Sequence, residues 1–350
     1  GCDPSTSGRG DVFTTRDSAG TEIVLVSGPV SGDDETVWVS PQPVLAIGET
    51  AGSNPEAQFS RVADVGRLSD GRIVVLESQG SEVRWFDANG RHLLTQGGQG
   101  GGPGEFNGAW SIVRFRGDTV VVEDRPSVKH VFYGPDGEFI GGTPQDHVAF
   151  WALGPWMECG DFTLPDQSRV VCQGEPGQPT GPAQPGHHRR FNRYVRVPWD
   201  LSRVDTLGLY GGIESWGVEV GGHTRFPVHR FYSRTQTAAG GDPLRIAIAV
   251  NPEYRIEIWT PEGHLERVVL RENARLAPTQ EELSWAWDNF TGLALLDEAL
   301  VNRIRAEVPL PDSLPAIVDL VMGKSGDLWA RRTFMWDPEG DATWDVFNRR

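Results

Sequence analysis

Residues 73–90, IVVLESQGSEVRWFDANG, decide the fold, because their pattern returns twice in the same ungapped frame. The other copies are residues 120–137 (VVVEDRPSVKHVFYGPDG) and 246–263 (IAIAVNPEYRIEIWTPEG). Each copy holds an apolar run, a polar link, a second apolar or aromatic run and a turn that ends in glycine, which is the pattern of a β-hairpin. A single hairpin cannot bury its apolar face, so its repetition predicts modules that stack on one another.

Extending each copy outward predicts four-stranded antiparallel units, with one strand before the copy and one after it. We expect five such units along the chain: 61–96, 110–140, 151–210 with a Pro- and Gly-rich loop at 174–186, a fourth that ends near residue 270, and a fifth with strands at 316–322, 328–331 and 343–347. Residues 211–241 lack a regular pattern, and we expect them to be irregular.

The repeat pattern breaks at Pro278, where we predict a helical insertion over residues 279–307. Thr279 and Glu282 have the spacing of a capping box, and the residues that follow carry apolar groups at helical intervals. The segment fits one or two helices.

Repeated four-stranded units with a Gly-rich step between neighbours indicate an all-β fold, a β-propeller, rather than a sandwich or a solenoid. In the repeat frame Arg350 corresponds to Asn89, so we predict that the last blade is incomplete and that the natural chain continues. Residues 22–26 and 37–47 also have strand patterns. If they complete the last blade, the propeller has six blades, which is the count we predict. Five blades plus an N-terminal hairpin are the alternative.

The composition excludes two classes of function. With 48 acidic against 32 basic side chains, the net charge of −16 would repel the phosphates that dominate nucleic-acid affinity. No apolar stretch approaches the roughly eighteen residues of a transmembrane helix. The 43 glycines, 25 prolines and 13 tryptophans instead fit many short strands, tight turns and aromatic packing between sheets.

Cys2 follows Gly1 and precedes the polar run DPSTSGRGD, which looks like the maturation site of a bacterial lipoprotein. We therefore predict a lipid on Cys2, a flexible tether over residues 1–20 and a single domain over residues 21–350. The alternative is an arbitrary start of the sequence. A lipid on Cys2 predicts a periplasmic or cell-surface protein that is anchored to a bacterial membrane.

Cys159 and Cys172 flank the segment CGDFTLPDQSRVVC. A hairpin turn at residues 164–167 would set Leu164 opposite Gln167 and, counting outward, Cys159 opposite Cys172. This register predicts a cross-strand disulfide worth roughly 3 kcal/mol, which needs an oxidising compartment. Two buried free thiols are the alternative.

Few residues have a pattern that indicates chemistry. Glu77 and Asp124 occupy the same repeat position at the end of the second strand, and propeller enzymes that hydrolyse lactones or similar esters gather Glu, Asn and Asp side chains around a central cation. The third copy has Val250 there, so we favour the alternative that the two carboxylates accept hydrogen bonds from a neighbouring turn. No nucleophile motif is present, and Ser111 has no base nearby in the sequence. We predict no cofactor and no catalytic residue.

The glycine-rich residues 97–104 lack the Lys-Ser/Thr pair with which a phosphate loop ends. We predict instead a turn between two blades, with Phe106 as its anchor in the core.

Two groups of residues are candidates for an interface. The first is the basic cluster of His187, His188, Arg189 and Arg190. A solvated loop or a contact with an acidic partner is favoured over a metal site, because neighbouring strand residues point to opposite faces. The second is Trp285 and Trp287 on the predicted insertion, which the propeller does not need for closure. Burial in the core is an equal alternative for these two tryptophans.

The phrase DGRIVVLESQGSEVRWFDANGRHLL and the following GQGGGPGEF resemble the repeats of NHL-type propellers and of six-bladed propeller lipoproteins of bacteria. The resemblance is strong over residues 59–142 and weak elsewhere. The chain departs from it by Glu77, where such repeats usually carry Asp, by the helical insertion and by the incomplete last blade.

This resemblance implies an extracytoplasmic lipoprotein. We predict that it binds a protein partner at a membrane surface, as a scaffold or an accessory subunit of a larger membrane complex. The alternatives are a hydrolase or lyase with a cation in the central tunnel, and a carbohydrate-binding module.

Overall fold

A computed structural model of the protein describes residues 13–28, 42–48, 55–114, 116–124, 129–144, 162–164, 168–174, 184–198, 202–220, 222–226, 233–272, 274, 276–288, 298–310, 312–323, 325–332 and 343–348. The chain divides into two compact units. The larger unit consists of Gly1–Val37, Gly154–Phe162 and Arg169–Arg350, and the smaller unit of Trp38–Leu153 and Thr163–Ser168. The single domain over residues 21–350 stays a prediction.

The first part of the chain forms a hairpin and two sheets. The strands are β1 (Phe13–Ser18) and β2 (Thr21–Val26) in the hairpin, β3 (Val62–Arg67), β4 (Ile73–Glu77), β5 (Glu82–Phe86) and β6 (His92–Gly97) in one sheet, and β7 (Ala109–Arg114), β8 (Val120–Asp124), β9 (Lys129–Tyr133) and β10 (Phe139–Pro144) in the next. In both sheets of the smaller unit, strands that follow one another in sequence pair antiparallel. They are the first two predicted units.

The second part of the chain holds the other sheets and the helices. The elements are β11 (Phe162–Thr163), β12 (Arg169–Gly174), β13 (Gly186–Val197), β14 (Asp205–Val220), β15 (His223–Arg225), β16 (Gln236–Gly240), β17 (Arg245–Val250), β18 (Arg255–Trp259), β19 (Leu265–Arg271), α1 (Gln280–Asp288), α2 (Glu298–Glu307), β20 (Asp319–Met322), β21 (Leu328–Arg331) and β22 (Trp344–Phe347). The predicted fold class is confirmed: the chain is an all-β propeller, built mainly from antiparallel strand pairs, with a helical insertion.

The turns explain why the repeated sequence folds into hairpins. In five of them a glycine with positive φ donates its N–H to the carbonyl oxygen three residues earlier, over 2.9 to 3.1 Å. These glycines are Gly71, Gly90, Gly137, Gly263 and Gly326, with φ between 81° and 93°. A residue with a Cβ atom is strained in this conformation, so glycine at this place sets the register of the strands on either side.

The core of the smaller unit lies between its two sheets. Trp85 from β5 and Tyr133 from β9 are fully buried, with ring centroids 5.6 Å apart and an edge-to-face angle of 73°. The cluster also includes Leu76 and Val122, which alternate with residues on the opposite faces of their strands. The Tyr133 hydroxyl donates a hydrogen bond to the carbonyl of Gly104, and burial raises the pKa of this tyrosine.

Buried polar groups join the sheets of the larger unit. The Tyr210 hydroxyl on β14 donates a hydrogen bond to Glu257 on β18. Asp345 on β22 accepts hydrogen bonds from the Tyr254 hydroxyl at 2.7 Å and from Arg271 Nη1 at 3.0 Å. Because hydrogen bonds to charged groups are strong when buried, these contacts specify which strands lie together.

The helical insertion begins with the predicted capping box. Glu282 donates its backbone N–H to Thr279 Oγ1 at 3.2 Å, and Glu282 Oε2 accepts the backbone N–H of Thr279 at 2.7 Å. Neither helix in the described part of the chain has the length and apolar character that crossing a membrane requires.

The N-terminal residues pair differently from the prediction. Residues 22–26 were expected in the last blade, but β2 runs parallel to β19, the outer strand of the fourth sheet. The resulting sheet has six strands in the order β1-β2-β19-β18-β17-β16. The predicted tether over residues 1–20 also contains a strand, since β1 pairs along its whole length with β2.

Two more sequence expectations concern this end of the chain. Of the strand expected at residues 37–47, residues 37–41 lie outside the described part, and residues 42–47 are not in a strand. The described residues form five sheets, and a six-bladed propeller stays a prediction.

The expectation of irregular structure over residues 211–241 was wrong. Strand β14 continues to Val220, β15 pairs with its end, and β16 begins at Gln236. The glycine pair Gly211-Gly212 lies at a bulge, where the pairing shifts between Arg189 and Phe191 of β13. A bulge absorbs extra residues without ending a strand.

The turn glycines offer a matched test of this fold. Gly137 and Gly263 have φ values of 81° and 86°, but a Cβ atom at Gly137 would lie 2.6 Å from Leu94 Cδ1, whereas the nearest atom at Gly263 is 3.6 Å away. We expect Gly263→Ala to lower the free energy of unfolding by about 1–2 kcal/mol through backbone strain. We expect Gly137→Ala to cost roughly 1–3 kcal/mol more because Leu94 must move.

Urea denaturation of both variants measures this difference. Gly101→Ala is the control, because Gly101 has no positive φ and no heavy atom within 4 Å of a Cβ atom. Equal losses at Gly137 and Gly263 would contradict the packing argument.

Candidate functional site

The two acidic residues at the strand ends, Glu77 and Asp124, accept hydrogen bonds from backbone N–H groups. Glu77 Oε1 accepts the N–H of Arg61 at 2.7 Å, and its Oε2 accepts the N–H of Gly80. Asp124 Oδ2 accepts the N–H of Asn107 at 2.9 Å. Both side chains are buried, and each holds the segment that leads into the first strand of its own sheet. The favoured interpretation of these carboxylates, as hydrogen-bond acceptors, agrees with this geometry.

One carboxylate oxygen at this repeat position is not used to bind the backbone of the described residues. Asp124 Oδ1 is buried and has no hydrogen-bond partner among the described residues. A cation needs several converging ligands, and within the described ranges no group of three His, Cys, Asp or Glu side chains is placed to hold one. The observed hydrogen bonds of Glu77 and Asp124 position the backbone.

Asn251 makes the corresponding strand-end hydrogen bonds in the larger unit. The repeat alignment instead places Val250 at this position, one residue earlier. Its Nδ2 donates to the carbonyl oxygens of Arg234 at 2.9 Å and Ile317 at 2.7 Å, while its Oδ1 accepts the Ile317 N–H at 3.0 Å. An amide donates as well as accepts, whereas a carboxylate only accepts. Asn251 thus joins two segments that are distant in sequence, those of Arg234 and Ile317. Glu77 joins one distant segment, that of Arg61, and the adjacent turn at Gly80. The sequence feature that could have identified Asn251 is a polar residue next to Val250 at the end of the strand.

The glycine-rich loop already contains an anion of its own. Glu105 Oε2 accepts the N–H of Gly102 at 2.8 Å, and a Cβ atom at Gly100 would lie 2.1 Å from the same oxygen. Phe106 is fully buried, and its N–H donates to the carbonyl of Gly98 at 3.0 Å. The predicted turn with Phe106 as its anchor agrees with this geometry, and a phosphate would compete with the Glu105 carboxylate.

A buried polar row crosses the second sheet, and the sequence analysis did not anticipate it. The Ser111 hydroxyl donates to Glu123 Oε2 at 2.8 Å, and His130 Nε2 lies 3.8 Å from Glu123 Oε1. These residues are cross-strand neighbours on β7, β8 and β9. The positions of Glu123 and His130 are apolar in the other copies of the repeat, namely Leu76 and Val83, and Ala249 and Ile256.

The order of groups in this row bears on catalysis. The carboxylate lies between the hydroxyl and the imidazole, whereas the serine hydrolase triad places the imidazole between the other two. Glu123 and His130 are also only 5% and 4% exposed, so a substrate cannot reach them without a rearrangement. The row specifies packing within the sheet.

The third sheet carries an extension beyond its four-stranded part. Strand β12 pairs with β13 only from Asn192 onward, while β13 and β14 stay paired as far as Gly186 and Gly217. Val218 near the end of this extension packs with Ile304 of α2 and with Val308, which directly follows α2, in a separate small core. We call the extension, β15 and the two helices the hairpin–helix lobe.

The predicted basic cluster lies on this lobe but is not one basic surface. Arg189 pairs with Glu214 at 3.3 Å and donates to the carbonyl of Asn251 at 2.6 Å. The His188 ring lies edge-on to Phe226, with centroids 5.0 Å apart, and its Nε2 is 2.6 Å from the carbonyl of Gln184. His187 is 3.8 Å from Glu214. Arg190 alone is exposed without an ion pair among the described residues.

The two tryptophans of α1 also belong to the lobe. Trp287 packs against the small core around Val218, with the Arg305 guanidinium 6.0 Å from its ring centroid. Trp285 is half-buried. Trp287 is half-buried as well, and its contacts give it a packing role in the small core.

Exposed apolar side chains accompany these residues on the lobe. The exposed fractions are 46% for Phe191, 42% for Ile213 and 38% for Phe226. Aromatic and aliphatic side chains that stay exposed on a packed substructure are typical of contact surfaces. The lobe is the candidate functional site.

Comparison with known proteins adds a likeness in fold. No family model and no curated protein matches the sequence. Among solved structures, an exported protein from Bacteroides fragilis is 11% identical, with 93% of this chain and 77% of that chain covered and a TM-score of 0.46. Virginiamycin B lyase from Staphylococcus aureus is 11% identical, with 81% and 69% covered and a TM-score of 0.33. Hydrazine synthase from Kuenenia stuttgartiensis is 11% identical, with 81% and 70% covered and a TM-score of 0.37.

Replacing Glu77 tests the role of the strand-end acids. We expect Glu77→Gln to lower the free energy of unfolding by about 1–3 kcal/mol, because the amide nitrogen would face a backbone N–H. We expect a chelator to leave the unfolding midpoint of the unaltered protein unchanged. Glu82→Gln is the control, since Glu82 makes a partly exposed ion pair with Arg84 that is worth at most about 1 kcal/mol. Destabilisation of the unaltered protein by the chelator would contradict the structural role.

Proposed function

We propose that this protein is a non-enzymatic, extracytoplasmic propeller, tethered to a membrane through a lipid on Cys2, that binds a protein partner through the hairpin–helix lobe. It would serve as a scaffold or an accessory subunit of a membrane complex. The observation that carries the proposal is the lobe itself, a packed substructure that lies outside the repeated four-stranded pattern.

The lobe has the construction of a preformed binding site. Its small core of Val218, Ile304 and Val308 holds the helices against the strand extension, and the Arg189–Glu214 pair holds the extension to the segment before β16 through the N–H of Ser233, 3.0 Å from Glu214 Oε2. A surface that is ordered before binding loses less conformational entropy on association. This supports recognition by the lobe rather than by the repeats.

The side chains on the lobe indicate the chemistry of the partner. Phe191, Ile213 and Phe226 offer apolar contact, and Arg190 offers a cation that no neighbouring carboxylate neutralises among the described residues. Interface cores combine aromatic residues with arginine in this way. A protein surface with apolar side chains and a nearby carboxylate fits this arrangement.

The compartment rests on the cysteines. Cys172 is buried on β12, and Cys159 lies outside the described residues, so the disulfide stays a prediction. Leu164 donates its N–H to the carbonyl of Ser168 at 2.7 Å, so the turn closes one residue later than we predicted.

Mass spectrometry of the unreduced protein, secreted by bacteria and digested with protease, measures the disulfide. We expect one cross-linked peptide pair that contains Cys159 and Cys172, and a loss of roughly 3 kcal/mol of stability in Cys172→Ser. Alkylation of both thiols without reduction would contradict the disulfide and the oxidising compartment with it.

A photo-crosslinking residue at two exposed apolar positions tests the binding site. We expect p-benzoyl-phenylalanine in place of Ile213 on the lobe to give one discrete adduct with a membrane-associated protein in living cells. The control is the same residue in place of Val321, which is 49% exposed on β20. Adducts at neither position, or the same adducts at both, would contradict recognition by the lobe.

A further inference from the structure

The hairpin β1–β2 is an integral part of the fourth sheet. Five residue pairs join β2 to β19, from Glu22 with Arg267 to Val26 with Arg271. Val26 is fully buried and belongs to the core cluster of the larger unit, against which Val24 also packs. The hairpin over residues 13–26 therefore has one defined place in the fourth sheet.

Polar contacts lock this hairpin at both ends of β2. Thr21 Oγ1 donates to the carbonyl of Leu265 at 3.0 Å, and Glu22 forms an ion pair with Arg267. At the other end, Glu272 donates its N–H to the carbonyl of Val26 at 3.1 Å, and Arg271 Nη2 donates to the carbonyl of Gly28 at 3.2 Å. Because both ends are held, force on the tether is transmitted to the sheet.

The length of chain before β1 limits the distance to the membrane. Eleven residues lead from Cys2 to Phe13. A chain of that length spans about 40 Å when fully extended and about 18 Å as a random coil. The six strands of the sheet place β16 about 24 Å from β1, at a spacing of about 4.8 Å per strand. The typical reach of the tether is thus shorter than the width of the sheet.

We propose that the β1 edge of this sheet faces the lipid bilayer and that the β16 edge points away from it. The proposal rests on the lipid at Cys2 in the proposed function. Strand β1 is exposed along its whole length, and it begins with Phe13, whose apolar ring is 41% exposed. In this orientation the lipid headgroups contact an edge strand. They can form hydrogen bonds with the unpaired backbone groups of that strand, so no second protein is needed to cover it.

Energy transfer to labelled lipids tests this orientation. Acylated protein is bound to phosphatidylcholine and phosphatidylglycerol vesicles that contain an acceptor lipid, with a donor dye at an unnatural residue in place of Thr15 on β1. The matched control carries the dye in place of Arg234, which is exposed and precedes β16 in the same sheet. We expect transfer at Thr15 to exceed transfer at Arg234 by about twofold or more, given the sheet width of about 24 Å.

The outcomes separate the two proposals. Equal transfer at the two positions, or more at Arg234, in protein that carries the lipid would overturn the orientation and leave the tether intact. A mass spectrum of the membrane-bound protein without a lipid on Cys2 would overturn the tether and the orientation together. Cys2→Ser completes the set, because we expect it to lose vesicle binding.

Discussion

A glycine in the left-handed conformation closes each of five hairpin turns, and the rest of the fold follows from that constraint. The turn sets which residues face one another across a hairpin, and this pairing sends alternate side chains to opposite faces of the sheet. The apolar rows at Val74 and Leu76 or at Val120 and Val122 can then meet the next sheet as continuous surfaces. A slip by one residue would move these rows to the opposite face of their sheet.

Buried polar side chains complete the sheets at the ends of the second strands. Glu77, Asp124 and Asn251 each bind the backbone that leads into the first strand, across 16 or 17 residues of chain. The chemical type changes from carboxylate to amide, while the link to the incoming segment is kept. In Asn251 both amide atoms are used by backbone groups of Arg234 and Ile317, which supports a structural role for this position.

Departures from the repeat have two kinds of consequence. Within a sheet, Glu123 and His130 replace the apolar pair of the other repeat copies. Glu123 accepts a hydrogen bond from Ser111 and lies next to His130, and both side chains are buried. Outside the repeated four-stranded pattern, the β13–β14 extension and the helices add a small core and expose apolar side chains such as Ile213. The first kind changes how the sheet is held together, and the second kind supplies a surface that the repeats do not need.

The sequence by itself determined the hairpins, the four-stranded sheets, the helical insertion and its capping box, because each depends on contacts within a few residues of chain or on a period in the sequence. Only the tertiary structure decided that β2 joins β19 in parallel, that β14 continues through Gly211 and Gly212, and that Asn251 rather than Val250 makes the strand-end link. These features depend on partners that lie far along the chain, such as Leu265 for Thr21 or Ile317 for Asn251. Local patterns carry no information about such partners, since the free energy of pairing is gained only when distant segments meet in the folded protein.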